Sequence, residues 1–144
     1  MNVFDMSRVS SAQNTEAELG KTALVYVAAL VAMLVPDGIW LTLAGPRLYR
    51  PALGDLLAAD FSPVPAVLFY LLYVVGVVVL TPGRTAGESA ARGALLGLCA
   101  YGTYDLTNQA TLRQWPTYLT VADLVWGTLL TAFTAYVAAR ARTR

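Results

Sequence analysis

Four long apolar segments, each set off by proline or glycine, decide what this chain can become. They cover about residues 22–44, 64–81, 90–110 and 117–139. Each approaches or exceeds the ~17 to 25 residues that span a bilayer core. Between them stand Gly45-Pro46-Arg47, Ser62-Pro63-Val64-Pro65, Thr81-Pro82-Gly83-Arg84 and Gln114-Trp115-Pro116, residues that end or start helices. A water-soluble four-helix bundle would need polar outer faces that these segments lack. Only 13% of the 144 residues are charged, against roughly 25% in an ordinary soluble domain. The expected fold is all-α: an integral membrane protein of four transmembrane helices, an antiparallel bundle of two hairpins.

Residues 1–20 are polar and mixed, with no long apolar run and no cleavage pattern. They read as a mobile cytoplasmic tail carrying a short interfacial helix around Val3, Phe4, Met6 and Val9. Residues 21–140 form the membrane domain and 141–144 a basic cytoplasmic end. Arg8, Lys21, Arg84, Arg92, Arg140, Arg142 and Arg144 fall on one side of such a bundle, and only Arg47, Arg50 and Arg113 on the other. That imbalance places both termini in the cytoplasm.

Several function classes drop out. A net charge of +1 supplies no basic field for nucleic acid. The chain has no histidine and a single cysteine, Cys99. Cys/His zinc sites, histidine-assisted nucleophiles and an intrachain disulfide are therefore excluded. Cys99, with no base to activate it, reads as a small apolar filler.

The informative residues are acids. Nine are present, and only Asp37, Asp105 and Asp123 lie within the apolar segments. With both termini inside, Asp37 and Asp105 sit near the outer ends of the first and third helices, and Asp123 near the outer start of the fourth. At ~1.5 Å per residue all three lie roughly 8–9 Å below one boundary. Phe69, Tyr70 and Tyr73 of the second helix reach a similar depth. The faces agree too: Gly93, Gly97, Tyr101, Tyr104, Asp105 and Asn108 form one stripe, and Thr120, Asp123, Gly127, Thr131 and Thr134 another. Glycine and threonine on such faces also serve plain helix packing, and Trp115 and Tyr118 read as an aromatic belt.

Facing lipid would cost each aspartate ~2.5–3.5 kcal/mol on insertion scales, so one shared inward pocket is expected, holding Asp37, Asp105, Asp123, Tyr104 and Asn108. Pro36, just before Asp37, cannot donate to the Ala32 carbonyl, and a bend there would open space beside the carboxylate. No lysine or arginine lies inside the segments. Either Arg47, Arg50 or Arg113 reaches down to the acids, or a proton or a bound cation balances them. An inventory of Asp, Asn, Thr and Tyr suits Mg²⁺ or Ca²⁺ better than zinc, although its spacing matches no metal motif.

Asp37-Gly-Ile-Trp40, Arg47-Leu-Tyr49, Phe69-Tyr70-Leu-Leu-Tyr73, Tyr101-Gly-Thr-Tyr-Asp-Leu-Thr-Asn108, Trp115-Pro116 and Asp123-Leu-Val-Trp126-Gly127 occur in that order. Over roughly residues 22–139 the chain thereby resembles a bacterial membrane-protein family catalogued as domain of unknown function number 2177. The resemblance implies four membrane helices, a bacterial cytoplasmic (inner) membrane location and no assigned activity or catalytic residue. It also implies a genomic association with enzymes of cyclopropane-type fatty-acid modification, which points toward lipid. Within the chain, each hairpin places an aspartate near the end of its first helix and aromatics near the start of its second. Asp37 thus corresponds to Asp105, and Tyr70 to Trp126, as in the paired halves of transporters.

Three functions fit. The leading one is an outer-leaflet pocket that binds or modifies a membrane lipid or other amphipathic substrate. Trp40, Tyr70, Tyr73, Tyr101, Tyr104 and Trp126 would flank its apolar part, while the aspartates and Asn108 fix a polar group. As an enzyme it would use one of Asp37, Asp105 and Asp123 as acid and another as base, and it lacks a strong nucleophile for covalent chemistry. The second is a proton- or cation-coupled exporter, which with so few helices would work as a homodimer. The third is an accessory subunit of a membrane complex.

Overall fold

The computed structural model describes residues 3–58 and 60–143, with side chains from Gln13 onward. Among these there is no strand. Four long helices run α1 (Val3–Ala44), α3 (Pro63–Leu80), α4 (Ala86–Thr111) and α5 (Thr117–Arg142). The α1–α3 link holds a π-helical turn (Gly45–Tyr49), one turn of helix α2 (Arg50–Leu53) and a 3₁₀ turn (Gly54–Leu56). Gly54, at φ 47°, supplies the left-handed backbone on which α2 stops.

The punctuation acts where the sequence puts it. Pro63 opens α3 at a position needing no N–H, and Pro116 precedes the first turn of α5. Before α4, Thr85 Oγ1 accepts from the Glu88 amide at 3.1 Å, while the Glu88 carboxylate accepts from the Arg84 amide and pairs with Arg92. Those contacts hold the Glu88 carboxyl below the usual carboxylate range, the Arg84 amide contributing most.

The expected tail is not separate. α1 is continuous from Val3, because between Gln13 and Lys21 only Gly20 weakens a run of helix-compatible residues, and Glu18 pairs with Lys21 at 3.7 Å. The expected interfacial helix is simply the start of α1, and the side chains of Val3, Phe4, Met6 and Val9 lie outside the described residues. At ~1.5 Å per residue α1 is about twice as long as a ~30 Å hydrocarbon core is thick. Among the described side chains its burial begins at Val25, and it passes through Pro36 without interruption.

Three stretches are long and apolar enough to cross a membrane: Gln13–Leu56, Pro63–Leu80 and Thr117–Arg142. α4 is diluted by Glu88, Arg92 and Asp105, yet it completes the bundle against α5. The helices alternate in direction. Asp37 near the end of α1 meets Trp126 near the start of α5, Gly93 and Gly97 of α4 face Ala135 and Thr131 of α5, and Arg142 donates to the Val78 carbonyl where α3 and α5 both finish.

Polarity is arranged inside out relative to a soluble bundle. Leu and Val point outward on every long helix, whereas Asp37, Ser89, Asp105, Thr120, Asp123, Thr131 and Thr134 are buried. An apolar core of Val25, Ala29, Met33, Val74, Leu130 and Ala138 occupies the half nearer the chain ends. α5 is central: α4 lies along one side of it, α1 along another, and α3 packs mainly on α1. The α4–α5 seam is closed by small residues that let backbones approach. A methyl added to Gly93 would stand 2.6 Å from both Ala135 Cβ and the Thr131 carbonyl, and one on Gly97 would strike Thr131 and the Gly127 carbonyl.

Overpacking of this kind costs typically ~1–3 kcal/mol. Gly97→Ala should therefore lower the thermal unfolding midpoint in detergent. Gly76→Ala on α3, whose methyl meets nothing within 4 Å, should hold or raise it, since alanine gains up to ~1 kcal/mol of helix propensity.

Candidate functional site

Asp37 is 6% exposed and accepts two hydrogen bonds from two other helices. Tyr70 of α3 donates its hydroxyl at 2.6 Å, and Trp126 of α5 its indole N–H at 2.8 Å. Both donors are neutral and preplaced by helix packing, which is how a carboxylate can be held without water. Asp123, also 6% exposed, accepts the hydroxyl of Tyr49. Tyr49 in turn accepts from Trp40 Nε1 at 3.0 Å. The two indoles stack, their ring centroids 4.6 Å apart and their planes 8° from parallel.

A reciprocal clasp results. Asp37-Gly-Ile-Trp40 and Asp123-Leu-Val-Trp126 each place an aspartate and a tryptophan three apart, on one face of a helix. Trp126 serves Asp37 directly, and Trp40 serves Asp123 through Tyr49. The internal correspondence is therefore Asp37 with Asp123, not Asp37 with Asp105. Tyr70 and Trp126 do play matching parts, since both donate to Asp37.

Around this clasp lies a cavity of about 450 Å³. Asp37, Trp40, Leu41 and Tyr49 line it from α1 and its following turn, and Asp123 and Trp126 from α5. α3 adds Ala66, Phe69, Tyr70 and Tyr73, and α4 adds Ala100, Tyr101 and Tyr104. Phe69, 42% exposed, and Tyr104, 59% exposed, form its rim where α3 and α4 barely touch. The opening thus lies on the side of the bundle, between α3 and α4. Tyr73 is fixed by a 2.9 Å contact with Thr131 Oγ1 and an edge-on approach to Tyr101.

Of the residues singled out in the sequence, Asp37, Trp40, Tyr70, Tyr73, Tyr101, Tyr104, Asp123 and Trp126 line this one cavity. Asp105 does not: it is wholly buried between α4 and α5, behind Asp123. Asn108, one turn further along, is half-buried and also off the cavity. Arg47, Arg50 and Arg113 do not reach the acids. Arg47 caps the Leu43 carbonyl at 3.5 Å, and among the described residues the ion pairs are Lys21–Glu18 and Arg92–Glu88. Their side chains remain at the exposed loop end, where water solvates the guanidinium. Among the described residues, no group of three or more His, Cys, Asp or Glu side chains gathers in one place. Trp115 does more than sit in a belt, since its Nε1 donates to Thr120 Oγ1 at 3.0 Å and its ring meets Tyr104 edge-on. Tyr49 is the residue that sequence reasoning misses. It falls in a link rather than a helix, and only the π-helical turn winds it back over Asp123.

Fold and site together define a helical membrane protein with a buried aspartate–aromatic cluster. Residues 22–140 match the family model described as "Predicted membrane protein (DUF2177)", and the chain belongs to that family. No curated protein and no solved structure matches it.

A hydrogen bond to a charged group contributes ~1.5–3 kcal/mol. Trp126→Phe keeps a ring for the Trp40 stack but removes the N–H that serves Asp37. It should lower stability in detergent by about that amount, while the Trp126→Phe, Asp37→Asn pair should show a coupling of ~0.5–3 kcal/mol in a double-mutant cycle.

Proposed function

We propose that the cavity binds a membrane-dissolved amphipathic molecule, a lipid or lipid-like substrate, entering sideways between α3 and α4. The observation that carries this reading is the lining itself. Aromatic and small apolar side chains make up nearly all of it, with Asp37 and Asp123 together on one wall. Pockets of this composition and size hold small molecules, the few polar groups fixing orientation.

The lining also selects polarity. Its formal charges are two carboxylates, and no lysine or arginine contributes to it. An anionic headgroup would meet uncompensated repulsion in a low dielectric. A cationic or hydrogen-bond-donating headgroup would meet two carboxylates, with the faces of Trp40, Trp126 and the tyrosines alongside for cation–π contact. The binding step is common to modification and to export of such a molecule. The charge imbalance of the loops supports a reading with both chain ends in the cytoplasm, four crossings and the cavity in the outer leaflet, and the family resemblance supports a bacterial cytoplasmic membrane.

Two experiments test this. Single-chain amphiphiles of equal length, one cationic and one anionic, are titrated into the protein in neutral-lipid nanodiscs while tryptophan emission is followed. The cationic one should bind saturably, and Asp123→Asn should weaken it by about tenfold, ~1.4 kcal/mol. Equal saturable binding of the anionic amphiphile would overturn the polarity assignment. For orientation, Cys99 is first replaced by alanine. Asp60→Cys and Gln114→Cys should then react with an impermeant thiol reagent on intact cells, whereas Thr85→Cys and Thr143→Cys should not. The reverse pattern moves the cavity to the cytoplasmic leaflet.

A further inference from the structure

The ligand reading makes no use of Asp105, although it is the least satisfied polar group in the bundle. Asp105 is 0% exposed, and neither carboxylate oxygen has a hydrogen-bond partner. The α4–α5 register explains its position. Gly93 faces Thr131 and Ala135, Gly97 faces Gly127 and Thr131, and Tyr101 lies on Gly127. Carried one turn further, the same register sets Asp105 of α4 opposite Asp123 of α5.

The groups facing this pair can be named helix by helix. From α5 come Asp123 itself and Thr120, whose hydroxyl oxygen is engaged by Trp115. From the α1 side come Tyr49, donating to Asp123, and beyond it Asp37, already held by Tyr70 and Trp126. On α4 the ionisable neighbours are Tyr101 and Tyr104. None of these is a lysine or arginine.

Two ionised carboxylates are acceptors only, and in a water-poor interior they repel and cannot bond. One proton between them converts the contact into a charge-assisted hydrogen bond and halves the buried charge. We infer that Asp105 and Asp123 form a proton-binding site, one proton being shared between the buried carboxyl of Asp105 and the cavity-facing carboxyl of Asp123. The site requires no ligand. Where it touches the proposed function, it does so through Asp123, the member that lines the cavity. A cationic headgroup arriving there meets the single negative charge that the pair keeps once it holds its proton.

Infrared spectroscopy tests this on the full chain in nanodiscs at neutral pH, with aspartate carboxyls carbon-13 labelled. Wild type should show the carbonyl stretch of a protonated aspartic acid. Asp105→Asn and Asp123→Asn should each abolish it, because the asparagine amide donates where the shared proton stood, and Asp37→Asn should retain it. If Asp105→Asn does not fold, Asp123→Asn carries the same test. A wild type without the band overturns the site, as does a band that survives substitution of either partner. So does a band removed by sodium at constant pH, which would mark a metal-cation site instead. None of these outcomes bears on whether an amphiphile binds, so failure here is distinguishable from failure of the ligand reading.

Discussion

A carboxylate buried away from water must find its donors within the protein, and Asp37 finds them on two other helices. Exposure to lipid would cost ~2.5–3.5 kcal/mol on insertion scales. Two hydrogen bonds to a charged acceptor, ~1.5–3 kcal/mol each, are enough to offset that. The requirement is positional as much as energetic. Tyr70 has to come from α3 and Trp126 from α5, so satisfying one side chain of α1 fixes where two other helices stand. The stacked pair Trp40–Trp126 then follows, and with it the support of Asp123 through Tyr49.

The bundle is held by two unlike kinds of contact. Along α4 and α5 the backbones approach through Gly93, Gly97 and Gly127, a contact of dispersion and shape. Between α1, α3 and α5 an apolar core of Val25, Ala29, Met33, Val74, Leu130 and Ala138 gives way, toward the loops, to polar and aromatic contact around Asp37. Between α3 and α4 contact is sparse, with Tyr73 edge-on to Tyr101, and the rim of the cavity lies there. A tighter seam there would have closed the site against lipid.

Much of this was legible in the sequence, for a physical reason. Membrane helices advertise themselves by length and apolarity, and three acids at one depth stand out because the bilayer makes each of them costly. Asp37, Asp123 and their aromatic neighbours, which the sequence sets at one level, line one cavity. Rotation about the helix axis was less legible. Asp105 and Tyr104 are adjacent in sequence, yet Tyr104 reaches the cavity and Asp105 turns into the α4–α5 seam. Tyr49 could not be read at all, since nothing in Gly45-Pro46-Arg47-Leu48-Tyr49 announces a π-helical turn. The arginines misled because proximity in sequence says nothing about whether a solvated guanidinium will leave water.

The length of α1 carries a mechanical consequence. From Gln13 to Leu24 the helix is exposed on all sides, and no break separates that stretch from Asp37. Pro36, where a backbone hydrogen bond is missing, stands immediately before Asp37 as a compliant joint. The first half of α1 can therefore tilt as a lever whose fulcrum lies against the cavity, with the carboxylate held on the far side by Tyr70 and Trp126.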